Sequence, residues 1–376
     1  MYNFEDFDRQ VARTDRRRPE DAVTIGIMGV YGELGSLLSE FKKRAREGAS
    51  YVSFGGNLVE EAGDLLWYFA ALGRTLGLSF RELIADALKS DISQIGSVGD
   101  AQDLVGRTRS AALRDPWLDA AAAAGRLASA ALDTNPDLRL PTTEALGAVL
   151  RAMAANDVFI QEAINNNIAK SESRFPNERI FLDLYDDRIQ LEGLRIPKDE
   201  QLHRRLAVDF EEREVRGKNF VTQKVFQIKI GDPLTDNIGE EDDYRFHDVF
   251  HLAYAAVLGW SPVLRALFKV KRKSFPKLDE AEDGARAILI EEGISSWIFN
   301  RSKPHYFAGV ERVDYEILKT IKEFTRGYEV EDQPFWAWEK AILDGYAVFR
   351  ELKLHRRGRV LVDLSEREIR FEKFGT

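Results

Sequence analysis

Residues 57–76 read NLVEEAGDLLWYFAALGRTL. Leu58, Leu65, Leu66, Trp67, Phe69 and Leu72 recur at helical spacing, which predicts a helix with one apolar face, stopping at Gly77. Upstream, residues 20–46 repeat the pattern with Ile27, Val30, Tyr31, Leu34, Leu37, Leu38 and Phe41, and Pro19 sits near the start. Gly48 to Gly56 is a turn-rich break between the two. A third helix opens after Ser79, a good N-cap in front of Phe80. Consecutive helices of this kind bury their stripes against one another, as in a helical bundle.

Residues 90–145 have another texture. SDISQIGSVGD reads as a loop, PWLDAAAAAGRLASAAL as an alanine-rich helix and TNPDLRLP as a further loop. A helix is expected from Thr142 to Ala155, and one more, DVFIQEAINNNIAKSESRF, opens at Asp157 and ends at Pro176. The stretch of about residues 90–150 is read as helices inserted between parts of a bundle, giving a first domain over 1–178. From about residue 180, IQLEGLRI, TQKVFQIKI, RVLVDL and IRFEKF show the short alternation of strands. Helices are expected between them around Tyr244–Leu258, Ala281–Phe299, Asp314–Phe324 and Pro334–Leu352. The chain is thus predicted to be mainly α, with residues 179–376 a second helical domain carrying a small β element.

A length of 376 residues suits two domains. The net charge of −9 argues against wholesale binding to nucleic acid or an anionic membrane. The absence of cysteine excludes disulfides, thiolate-zinc sites and cysteine nucleophiles. The start, MYNFEDFDRQVARTDRRR, alternates charges where a signal peptide needs an apolar run. No stretch approaches the ~20 uninterrupted apolar residues of a membrane span. A cytoplasmic protein without a membrane partner is the expectation.

Chemistry enters through acids on the apolar helices. Glu33 and Glu40, seven residues apart, share one helical face, and Glu60, Glu61 and Asp64 cluster on the next helix. Carboxylates beside buried stripes repel one another, and a divalent cation relieves that; all-oxygen ligation favours magnesium, with manganese as the alternative. Solvated or salt-bridged surface residues would show the same spacing. Asn166, Lys170 and Arg174 share a face of the final helix, with Asn167 adjoining, and that stripe suits phosphate oxygens as well as a solvated helix end.

GVYGELGSLL, VEEAGDLLWYF and NNNIAKSESRFP, in that order, resemble the successive motifs of the MazG-like all-α nucleoside triphosphate pyrophosphohydrolases. The resemblance covers roughly residues 20–178 less the insertion. It implies magnesium held by helical acids and hydrolysis of NTPs or dNTPs to monophosphate and pyrophosphate. By position, Glu33, Glu61 and Asp64 match metal ligands, and Lys170 and Arg174 match phosphate contacts, with Asn166 beside them. Glu60 or Glu40 is then the candidate general base. Two departures stand out: Ser36 occupies the place of the family's second acid, and about 80 residues separate Gly77 from Asp157. The insertion would serve as a lid or an extra dimer surface. Trp67, Tyr68 and Phe54 are candidates to stack on a base, with a core role favoured for Trp67. A homodimer is expected. The alternative is a catalytically weakened nucleotide sensor, because Ser36 removes an acid.

In the second domain, DDYRFHDVFHLAY places His247 and His251 one helical turn apart with Asp248 between them. DEAEDGARAILIEEG adds Glu282, Asp283, Glu291 and Glu292, read on one helix, and KVKRKSFPK is the most basic run. His247, His251, Glu282 and Asp283 form a candidate second metal site; a buried hydrogen-bonded pair is the competing reading. The segment resembles the C-terminal extension of some MazG-related proteins.

Overall fold

Helix α1 (Phe4–Thr14) arises where the sequence shows mostly charge: Phe4, Phe7 and Val11 form a buried stripe, and Asn3 and Asp6 close a reciprocal capping box. The structure is a computed structural model and describes residues 2–107, 115–134, 136–188 and 193–374. The chain divides into two compact units, Met1–Asn177 and Glu178–Thr376.

Unit 1 continues with α2 (Ala22–Glu47), α3 (Phe54–Thr75), α4 (Phe80–Leu88), α5 (Val98–Arg107), α6 (Pro116–Ala130), α7 (Arg139–Ala155) and α8 (Ile160–Arg174). Helix α2 stops at Gly48, whose φ of +60° suits glycine alone, and Ser79 caps α4 in a box with Glu82. The segment expected to be a loop over SDISQIGSVGD has already entered α5 at Val98. The inserted helices do not stand apart as a lid. Ala145, Leu146, Val149, Leu150 and Met153 of α7 are buried in the same core as Leu65, Leu66 and Phe69 of α3. Trp117 of α6 packs at 5.4 Å on Phe41 of α2.

Helix α2 turns Ile27, Val30, Leu34 and Leu37 into this core and leaves Ile25, Met28 and Tyr31 exposed. An 18-residue window within Pro19–Ser50 has a mean hydropathy of 1.3, so this helix is long and apolar enough to cross a membrane by length and composition. A third of that window (33%) is buried, and its carboxylates Glu33 and Glu40 meet partners on α3 and the turn before it.

Unit 2 is built on β1 (Arg205–Val215), β2 (Lys218–Val225), β3 (Ile228–Leu234), β4 (Arg357–Asp363) and β5 (Glu368–Glu372), antiparallel throughout in the order β3-β2-β1-β4-β5. Its helices are α9 (Asp248–Leu258), α10 (Pro262–Phe268), α11 (Pro276–Ala281), α12 (Ala285–Ser302), α13 (Tyr315–Phe324) and α14 (Phe335–His355). Leu206, Val208 and Phe210 point from the middle strand into the core, and α9 is buried on every side from Val249 to Leu258. Helices α9 and α14 cross closely because a Cβ on Gly345 would come within 2.9 Å of the Ala253 Cβ. The run read as one strand, TQKVFQIKI, is a hairpin turning at Phe226 and Gln227, both at positive φ. Of the expected strand IQLEGLRI, residues 189–192 lie outside the described residues and 193–196 form no strand.

Candidate functional site

Helices α2, α3 and α8 bring Glu33, Glu61 and Asp64 together with Asn167 and Lys170. Gly63, one residue before Asp64, faces α8 so closely that a Cβ there would lie 2.6 Å from the Ala163 carbonyl oxygen. That contact sets Asn167 and Lys170 against Asp64: the Asn167 amide donates to Asp64 at 2.8 Å, and the Lys170 ammonium contacts both Asp64 oxygens. Lys170 also lies 3.9 Å from Glu60. A methyl group at Gly63 must separate the two helices. Gly63→Ala is expected to destabilise unit 1 by about 1–3 kcal/mol, the usual cost of overpacking, seen as an earlier melting transition.

Across from Asp64, Glu33 of α2 faces α3. Burial first, then the charges of Asp64 and Glu61, raise its pKa from 4.5 to about 7 despite Lys170, and a Glu33–Glu61 hydrogen bond adds to the rise. Two carboxyls that share a hydrogen bond hold a proton between them. Burial, and then Glu33 and Asp64, also raise the pKa of the Tyr68 hydroxyl, whose ring fills the space above Gly29. Because the folded pKa is raised, Glu33 contributes stability that is complete below pH 4.5 and fades as pH climbs through about 7. Urea midpoints in chelator should therefore fall between pH 5 and pH 8 by an amount worth about 1–2 kcal/mol once solvent screening discounts the shift. Glu33→Gln should flatten that slope.

Glu40 sits in a separate arrangement. Burial opposes its charge, but hydrogen bonds from Lys43 (2.5 Å), Tyr51 and Asn57 (3.2 Å) outweigh burial and hold it below the usual carboxylate range. With three donors, this carboxylate is poorly suited to collect a proton. Asn166 is exposed, and the adjoining Asn167 is the buried amide that reaches Asp64. Arg174 is half-buried and stacks on Phe175 at 5.0 Å. Trp67 donates to Thr14 at 2.9 Å, tying α3 to α1, and Phe54 packs on Phe41. Lys43, Tyr51 and Asn57 went unnoticed in the sequence; only the Glu40–Lys43 spacing hinted at them.

In unit 2, His247 and His251 lie together at the start of α9, with rings 5.7 Å apart. His247 Nδ1 bonds the Tyr244 carbonyl at 2.8 Å, and His251 Nδ1 bonds Glu291 of α12 at 2.9 Å. Their Nε2 atoms face Asp248, 3.2 Å from His247, and Glu292, 3.5 Å from His251. Burial opposes charge on His251, but Glu291 and Glu292 outweigh it and raise its pKa well above the ordinary value.

The MazG C-terminal domain family matches residues 188–375, half of the chain. The chain belongs to this family. Membership ties it in general to nucleotide pyrophosphohydrolase-type function and to divalent metals. Neither a curated protein nor a solved structure matches it.

Within the MazG C-terminal domain, the histidine partners expected from the sequence are corrected. The acids that meet the histidines are Asp248, Glu291 and Glu292, and Glu282 and Asp283 are engaged elsewhere. Gly284 is extended and separates α11 from α12, so the two acids fall outside the helix that carries Glu291 and Glu292. Asp283 instead receives the Arg272 guanidinium at 2.7 and 3.1 Å and the Arg272 backbone amide at 2.7 Å. Glu282 accepts the Glu329 amide at 3.0 Å. Arg272, the centre of the basic run, is fully buried and also bonds Glu329. That run is therefore partly structural.

Proposed function

We propose that unit 1 is a divalent-metal-dependent pyrophosphohydrolase that converts nucleoside triphosphates, ribo or deoxy, to the monophosphate and pyrophosphate. The observation carrying this reading is the convergence of Glu33, Glu61 and Asp64 opposite Lys170, with the Glu33 pKa raised to about 7 by burial and then by the other two acids. Carboxylates crowded enough to retain a proton form a donor set that fits a hard cation, magnesium or manganese. Glu33, Glu61 and Asp64 would hold it. A divalent ion bound there neutralises polyphosphate charge and lowers the pKa of a coordinated water.

The chain supplies the rest. Lys170 exchanges Asp64 for a phosphate oxygen, and Arg174 extends the positive stripe toward the leaving pyrophosphate. Glu60 is the better candidate base, since it lies beside Lys170, whereas Glu40 is committed to three donors. The exposed stripe of Ile25, Met28 and Tyr31 on α2 supports a homodimer.

Incubation with a panel of NTPs and dNTPs plus magnesium, followed by product separation, tests the proposal. Monophosphate with pyrophosphate is the expected outcome, and diphosphate with orthophosphate overturns it. A second reading, nucleotide sensing without turnover, draws on Ser36 and on the Lys170–Asp64 contact, which closes the site on itself. Tight nucleotide binding with no product would favour it.

A further inference from the structure

We infer that the MazG C-terminal domain holds a second divalent ion, of the imidazole-preferring transition type (zinc or cobalt rather than magnesium), on His247, His251, Asp248 and Glu292. This site is independent of the reading of unit 1. Its first support is the way both imidazoles are oriented. The Tyr244 carbonyl can only accept, so His247 Nδ1 carries the proton; Glu291, a carboxylate acceptor, imposes the same on His251. Each ring therefore turns Nε2 toward the other ligands, the tautomer a metal needs.

The second support is an under-satisfied atom. His251 is fully buried, and its Nε2 makes no well-formed hydrogen bond, with only the Glu292 carboxylate before it at 3.5 Å. A buried ring nitrogen aimed at a gap between carboxylates is costly unless something occupies that gap.

The outer partners are fixed as well. Glu291 accepts from Ser261 at 2.7 Å and from the Val263 amide at 2.8 Å, so it cannot swing away from His251. The buried Gln223 amide holds the second oxygen of Asp248, and the Tyr244 ring stacks on His247 at 4.3 Å. Carboxylate– and carbonyl–histidine pairs of this kind are the usual support behind metal-bound imidazoles.

Spacing agrees. One ligand atom each from His247, Asp248 and His251 lies within 4.8 Å of the others. The Nε2–oxygen separations of 3.2, 3.5 and 3.9 Å bracket the edge of about 3.3 Å that a tetrahedron with bonds of about 2.0–2.1 Å requires. Two imidazoles select zinc, cobalt, iron or nickel over magnesium. The four side chains complete a tetrahedron, and the Glu292 side, 39% exposed, is the edge through which an ion can enter.

The test uses full-length, tag-free protein stripped with chelator and titrated with Co²⁺, followed by visible absorption and by metal content after gel filtration. One equivalent of tightly held ion, with the intense visible bands of tetrahedral cobalt, is expected in the native chain and in a Glu61→Gln, Asp64→Asn double variant. His251→Gln should weaken binding at least tenfold. Glu292→Gln, at the exposed edge and so compatible with folding, should weaken it ~10-fold or more and alter the bands even if His251→Gln does not fold. Absence of a bound equivalent in the native chain overturns the inference and leaves His251 as an ion-pair centre. Loss of the ion only in the unit 1 double variant, or unchanged binding in Glu292→Gln, overturns the assigned ligand set.

Discussion

Glu61→Gln should lower kcat/KM for pyrophosphohydrolysis by roughly 10²–10⁴-fold while raising the melting temperature of the metal-free protein. The two effects have one cause. Glu61, Asp64 and Glu33 repel one another in a half-buried pocket, and that repulsion adds to burial in raising the Glu33 pKa to about 7. An amide in place of one acid removes repulsion, so the apo fold gains stability. It also removes a charged ligand from a site asked for several kcal/mol of charge neutralisation, and each ~1.4 kcal/mol lost is a factor of ten in rate. Steady-state kinetics and thermal melts with and without magnesium measure both. A variant that loses activity by unfolding would melt earlier, and one that keeps full activity would remove Glu61 from the site.

Asp283→Ala should be the most destabilising single change in unit 2, by about 3–5 kcal/mol. Arg272 and Asp283 are both fully buried, and removing the acid leaves the guanidinium with Glu329 alone and a backbone amide without its acceptor. For a unit of this size, the corresponding drop in melting temperature is about 10 °C or more. Because Asp283 is engaged by Arg272, folded Asp283→Ala protein should bind cobalt like the native chain, and a selective loss of metal would reinstate the acid as a ligand.

Much of unit 1 was legible because its helices are long and periodic, and Ser79, Gly77 and Pro176 mark their ends. Helix α1 was missed because its apolar residues Phe4, Phe7 and Val11 are diluted by charge on the opposite face. The middle strand β1 escaped for a similar reason: Leu206, Val208 and Phe210 alternate cleanly, but Glu211, Glu212, Arg213 and Glu214 follow at once. The β2–β3 turn has no glycine, asparagine or aspartate to announce it, since Phe226 and Gln227 take up the left-handed conformation themselves.

At the candidate site, the pairing of Glu61 with Asp64 was readable, because residues three apart share a helical face, whereas Glu33 and Glu40, seven apart, face different partners. Which asparagine turns inward was not: Asn166 and Asn167 differ by 100° around α8, and only the packing of Gly63 on Ala163 selects Asn167. Glu282 and Asp283 were misplaced because the sequence shows an unbroken helical pattern through Gly284. The buried charge of Arg272, which draws Asp283 aside, is a tertiary fact.

The middle strand of the sheet pairs on one side with β2, its neighbour in the chain, and on the other with β4, with Arg205 opposite Asp363. During synthesis, residues 1–177 can assemble while the ribosome is still at work downstream. The sheet cannot: β1 must wait, one edge bare, until some 150 further residues have been translated. An exposed edge is a template for pairing with other chains, so ribosomal pausing or premature termination before residue 357 should release a nascent protein with a finished front half and an aggregation-prone back half.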